Sequence, residues 1–121
     1  MKKIIKAIAI VWFLLIICSC SQVFEKPLEN DIVELTAPAN NVTTIFRNNT
    51  FAWEELDGAT KYRLQIASPR FDSIVRFITD TPVTKTNLTL TLDSGKYEWR
   101  VKALNNSSSS NYSKTRTIII L

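Results

Sequence analysis

The chain of 121 residues has no histidine, two glycines and two cysteines. Without histidine it lacks the side chain that most often acts as a general base near neutral pH and most often ligates zinc. A nucleophile activated by histidine is excluded outright. Two glycines are too few for the loops that bring backbone close to a phosphate chain. Both cysteines, Cys18 and Cys20, fall within the first twenty residues, so the rest of the chain has no disulfide and no thiolate metal site. One scarcity is hidden by the totals. The formal charge is +4, but Lys2, Lys3 and Lys6 stand in the first six residues, and beyond them the balance is +1. The basic footprint expected of a nucleic-acid binder is then absent.

What is present begins with MKKIIKAIAIVWFLLIICSC. A lysine-rich start followed by an apolar run over residues 7–17 is the layout of a secretory signal. A spanning helix needs about 20 apolar residues, so this run is short for a permanent span. Ile17-Cys18-Ser19-Cys20 resembles the bacterial lipoprotein lipobox, in which the final cysteine takes a diacylglycerol and the signal is cut just before it. That resemblance implies a signal peptide over residues 1–19, lipidation of Cys20 and membrane attachment through the lipid. Ser21 follows in place of the aspartate that retains enterobacterial lipoproteins at the inner membrane, which favours the outer membrane of a Gram-negative envelope. Residues 20–30 then read as the lipidated cysteine and a tether containing Pro27, and residues 31–121 as one domain.

Within that domain the strongest signal is residues 92–104, LDSGKYEWRVKAL. Tyr97, Trp99, Val101 and Ala103 alternate with Glu98, Arg100 and Lys102 behind an Asp-Ser-Gly turn, the period-2 pattern of a half-buried strand. Residues 60–67 alternate as cleanly, with Tyr62, Leu64 and Ile66 inward and Lys61, Arg63 and Gln65 outward, until Ser68-Pro69 breaks the run. Further strands are expected over residues 32–36, 49–54, 73–79, 86–92 and 112–121, with Phe51 and Trp53 inward in the second and residues 73–79 at a sheet edge. Arg76 would help to blunt that edge. Seven short strands separated by turn signals, with no helical stretch after the leader, point to an all-β sandwich.

Pro38 after the first strand, Trp53 in the second, Tyr62 in the third and Leu92-x-x-Gly95-x-Tyr97 before the sixth together resemble a fibronectin type III domain. Tyr97-x-Trp99-Arg100-Val101-x-Ala103 is similar to the sixth strand of that family. The resemblance implies a seven-stranded immunoglobulin-like sandwich, with Trp53 packed between the sheets and Tyr97 closing a corner through its hydroxyl. It says little about function, since the fold is a widely reused scaffold. No Arg-Gly-Asp stands between the last two strands.

Trp53, Trp99, Tyr62 and Tyr97 would suit sugar stacking, but their inward alternation assigns them to the core. Phe46 and Phe71, beside loops, are better placed for external contacts or for plugging the ends of the sandwich. The outward residues Lys61, Arg63, Arg100 and Lys102 form a candidate cationic face opposed only by Glu98, with Lys114 or Arg116 extending it. Such a face would meet acidic glycans, lipid phosphates or an acidic protein, or be an ordinary solvated sheet surface. Glu54, Glu55 and Asp57 cluster at a turn and Asp72 and Asp80 flank a strand, without a context that raises a carboxyl pKa for acid–base work. Asp57 with nearby oxygens lacks calcium-loop spacing. The expectation is therefore a non-catalytic envelope module, with no cofactor or metal, that binds a polysaccharide or protein partner. The alternatives are an accessory subunit of an envelope complex and a fragment of a larger polysaccharide-processing system.

Overall fold

Alternation decides the strands over residues 61–70 and 95–104, and the computed structural model, which describes residues 25–121, shows them side by side within a five-stranded sheet. The elements are β1 (Leu35–Ala37), β2 (Val42–Thr44), β3 (Asn48–Trp53), β4 (Lys61–Arg70), β5 (Ser73–Val83), β6 (Asn87–Thr91), β7 (Gly95–Leu104) and β8 (Arg116–Ile120). They form a sheet ordered β1-β3-β6 facing a sheet ordered β2-β8-β7-β4-β5. The signal segment and Cys20 lie outside the described residues.

The inner faces of the two sheets supply the core. From β4 and β7 come Tyr62, Leu64, Ile66, Tyr97, Trp99, Val101 and Ala103, and opposite them stand Phe51, Trp53 and Leu35. Phe51 meets Trp99 edge to face, with centroids 5.0 Å apart and planes at 74°. This arrangement sets the positive ring edge against the negative ring face. The Tyr97 hydroxyl donates to the Asp93 carbonyl at 2.7 Å, closing the corner that the resemblance implied. Gly95 suits the corner through its backbone, at φ +155°, a conformation side chains disfavour, whereas a Cβ there would meet the Tyr97 hydroxyl only at an ordinary contact distance of 3.5 Å.

The expected seven strands become eight because a short strand, β2, forms at residues 42–44, where none was expected, while the first begins at Leu35, later than the expected residue 32. β1 pairs with β3, and β2 then runs parallel to β8 in the opposite sheet. Between them Pro38 cannot donate to a ladder, and Asn41 takes a positive φ of 62°, a conformation asparagine tolerates better than most residues. Arg116 secures the crossing, donating from Nη1 to the Pro38 carbonyl and from Nη2 to the Leu35 carbonyl, both at 2.7 Å. The expected break at Ser68-Pro69 is also absent. β4 leaves β7 after Ala67 but continues along β5 to Arg70, so the missing N–H of Pro69 falls where the strand has one neighbour only.

A third difference lies at the start of the domain. Residues 25–30, expected in the tether, are packed against the sandwich. Leu28 is fully buried in the core, and its backbone N–H donates to Ser108 Oγ at 3.0 Å. Asn105 ties the segment down. Its Nδ2 donates to the carbonyls of Lys26 and Gly58, while its Oδ1 accepts from the backbone N–H groups of Ser107 and Ser108. Gly58 permits the approach, since a Cβ there would sit 2.8 Å from that of Lys26. A lone apolar residue between Pro27 and Glu29 carries no period, which is why the pattern of the sequence did not reveal the anchor. Leu28→Ala is expected to lower the unfolding free energy by about 2–5 kcal/mol. Urea denaturation followed by tryptophan fluorescence measures it, and an unchanged midpoint would show that residues 25–30 are not part of the folded unit.

Candidate functional site

The outer face of the five-stranded sheet is set by the same register that builds the core. Opposite one another on β4 and β7 stand Arg63 and Lys102, Gln65 and Arg100, and Ala67 and Glu98. β5 adds Asp80 beside Gln65 and Phe77 beside Ala67. The loop before β8 brings in Tyr112, and the β4–β5 turn brings in Phe71.

These side chains form an ordered row. The Arg100 guanidinium carbon lies 4.0 Å from the Phe71 ring centre and 4.2 Å from that of Tyr112. Lys102 Nζ lies 4.9 Å from the Tyr112 ring centre. Contacts of this kind are worth about 0.5–1 kcal/mol at exposed sites and about 2 kcal/mol where water is excluded. Gln65, itself buried, accepts from Arg100 Nε through Oε1 at 2.9 Å. Glu98 Oε1 accepts from the Phe71 backbone N–H at 2.8 Å and so fixes the ring under the guanidinium. The Tyr112 phenol is pushed above its ordinary pKa, chiefly by burial, with Arg100 opposing.

The expected cationic face is thus partly corrected. Arg63 is not free, because its Nη1 donates to Asp80 Oδ1 at 2.7 Å. That hydrogen bond holds the Asp80 carboxyl below the usual aspartate value, helped by the Arg63 charge, Gln65 and Lys102 against the opposing effect of desolvation. Glu98 keeps its charge on the face but is oriented by the Phe71 backbone N–H and forms no ion pair among the described residues. Arg116 does not extend the face, because it is spent on the Leu35 and Pro38 carbonyls, and Lys114 lines a small cavity with residues 32–35. Lys61 stands exposed at the end of its row. Arg100 and Lys102 remain as cations with no ion pair among the described residues. Phe71 and Tyr112 complete the site, and only Phe71 carried a signal in the sequence, as an aromatic residue beside a turn. Phe46, the other aromatic singled out, is exposed outside this row.

Solved structures share this architecture. A fibronectin type III domain of the human KIAA0970 protein superposes with a TM-score of 0.56 at 17% identity, covering 74% of this chain and 72% of that one. The fn3 domain of the human collagen alpha-1(XX) chain gives 0.56 at 20% identity, covering 83% and 91%. The fold is that of a fibronectin type III domain. The domain of human fibronectin type III domain containing protein 3 agrees, with a TM-score of 0.52 at 16% identity over 83% of this chain and 92% of that chain. No family model and no curated protein matches the chain. At such identities a fibronectin type III likeness speaks for fold alone, and function has to be read from the side chains on the scaffold.

The Arg63–Asp80 pair gives this face a pH dependence of known sign. A carboxyl held low in the folded state contributes stability that is present above its unfolded pKa and lost as pH falls through its folded value. Arg63→Ala should raise the Asp80 pKa toward the ordinary aspartate range, and carboxyl-detected NMR titration of both proteins measures it. The pair is exposed, so the accompanying loss of stability should stay within about 1 kcal/mol.

Proposed function

We propose that the protein is a lipid-anchored, non-catalytic binding module of a Gram-negative cell envelope, attached at the outer membrane through Cys20. Its outer sheet face would meet a polysaccharide or protein partner. The lysine-rich start, the short apolar run and Ile17-Cys18-Ser19-Cys20 support the anchor. The observation that carries the binding role is the row Phe71–Arg100–Tyr112–Lys102. Long basic side chains on a solvated sheet keep their rotamer freedom, and fixing one costs up to about 2 kcal/mol. Here two aromatic rings and a buried glutamine hold Arg100 in one place, while the charged edge stays on the surface.

Docking by an edge strand is less well supported. β5 is an edge, as expected, but Val75 and Ile78 are extra residues in its pairing with β4. Bulges of this kind twist an edge away from a further strand.

Two variants test the reading in cells. Cys20→Ala should leave the leader uncleaved and the protein without acyl label in metabolic labelling with a fatty acid. Arg100→Glu combined with Lys102→Glu should abolish capture of envelope material by the full chain in neutral detergent, with the melting temperature close to that of the parent. Acylation that survives the first change would overturn the anchor, and capture that survives the second would overturn the face.

A further inference from the structure

We infer that the face takes an anionic polysaccharide, with Arg100 and Lys102 binding its carboxylate or sulfate groups; this rests on the binding role proposed above. The reasoning starts from what each group has left to offer. Of the Arg100 donors, Nε is engaged by Gln65 at 2.9 Å, which turns the remaining edge of the guanidinium outward between Phe71 and Tyr112. An arginine fixed in this way presents paired N–H groups that match the two oxygens of a carboxylate or sulfate. Lys102 lies two residues further along the same face of β7, roughly 7 Å away at the rise of a strand. Its ammonium forms no ion pair among the described residues: Asp80, whose carboxyl its charge helps to hold low, is bonded to Arg63 at 2.7 Å, and Glu98 accepts from the Phe71 backbone at 2.8 Å.

The rings argue against a neutral sugar. Stacking needs a free aromatic face, and cations stand over the Phe71 and Tyr112 rings at 4.0, 4.2 and 4.9 Å. A neutral ligand would displace a cation from its ring and recover no charge interaction in return. The surroundings argue against an acidic protein. Protein interfaces centre on an apolar or aromatic anchor seated in a pocket. Of two cavities, about 70 and 270 Å³, the first lies against residues 32–35 and the second between β5 and the turn before Tyr97, lined in part by Phe77, and neither is lined by Arg100 or Lys102. Apart from Phe77, half-exposed beside Phe71 with ring centroids 6.5 Å apart, the row presents donors spaced along a strand, which fits a chain of repeated anionic sugars able to engage two fixed cations at once.

The experiment measures binding of the full chain in neutral detergent micelles to polygalacturonate, dextran sulfate, uncharged dextran and polyglutamate across a salt series. Polygalacturonate or dextran sulfate should bind well above dextran and polyglutamate, and more weakly as salt rises. Arg100→Gln and Lys102→Gln should each weaken that binding roughly tenfold, the loss of one charge-assisted contact. Lys114→Gln, the same change of charge away from the face, should leave it intact. Asp80→Asn removes the carboxylate paired with Arg63 and should tighten binding severalfold, so the inference stays testable if either β7 variant fails to fold. Equal binding of dextran, equal or stronger binding of polyglutamate, or an equal loss in Lys114→Gln would overturn it. Should no glycan bind while envelope capture still needs Arg100 and Lys102, the ligand class is wrong and the face stands. Should capture also ignore those residues, both readings fall.

Discussion

The register between β4 and β7 decides both surfaces of this molecule at once. Ile66 faces Trp99, Leu64 faces Val101 and Tyr62 faces Ala103 on the inside, while Gln65 faces Arg100 and Arg63 faces Lys102 on the outside. Because strand side chains alternate with period two, a slip of one residue would bring Arg100 and Lys102 into the core and Trp99 and Val101 into water. Burial of the inner set is worth about 1.5–3 kcal/mol for each large apolar side chain, far more than any contact on the outer face. The candidate site therefore inherits its geometry from the core. Gln65 is positioned to hold Arg100 because the residues on either side of it, Leu64 and Ile66, are locked inside.

The same logic extends to the end of the sandwich where the chain enters. Leu28 fills the core from the N-terminal side, and Asn105, just past β7, satisfies the backbone that Leu28 brings with it. The entering segment is held to the loop that leads on to Tyr112, with Asn111 Nδ2 donating to the Glu29 carbonyl at 3.1 Å. If Cys20 carries the lipid, four residues separate it from Glu25, and the reach between lipid and domain is about 17 Å rather than the roughly 35 Å of a ten-residue tether.

Long alternating strands were legible in the sequence because their pattern is a direct imprint of two-sided burial. Tyr62, Leu64 and Ile66, and Tyr97, Trp99, Val101 and Ala103, lie where alternation placed them. What escaped was set by contacts distant in sequence. The added strand β2 follows a crossing that Arg116, some eighty positions away from Leu35, secures by reaching the Leu35 and Pro38 carbonyls. The continuation of β4 past Pro69 depends on β7 having turned away. Arg63, Arg100 and Lys102 were readable as outward cations, but their inequality was not. Asp80 neutralises one of them from the neighbouring strand, and Tyr112 reaches the other two from a loop without any period.

The difference between a charged surface and a binding surface lies in that inequality. Asp80 pairs with Arg63, and Glu98 accepts from a backbone amide, so Lys61, Arg100 and Lys102 are the cations of this face left without an ion pair among the described residues, the last two within the row. Both are held by rings and not by carboxylates, and this distinction matters physically. A cation paired with a carboxylate must give up that partner before it can take another anion. A cation resting on a ring keeps the ring contact and still offers its N–H groups outward. The cost of orienting Arg100 is met within the folded domain, before any ligand arrives, and preorganisation of this kind converts a modest charge into affinity.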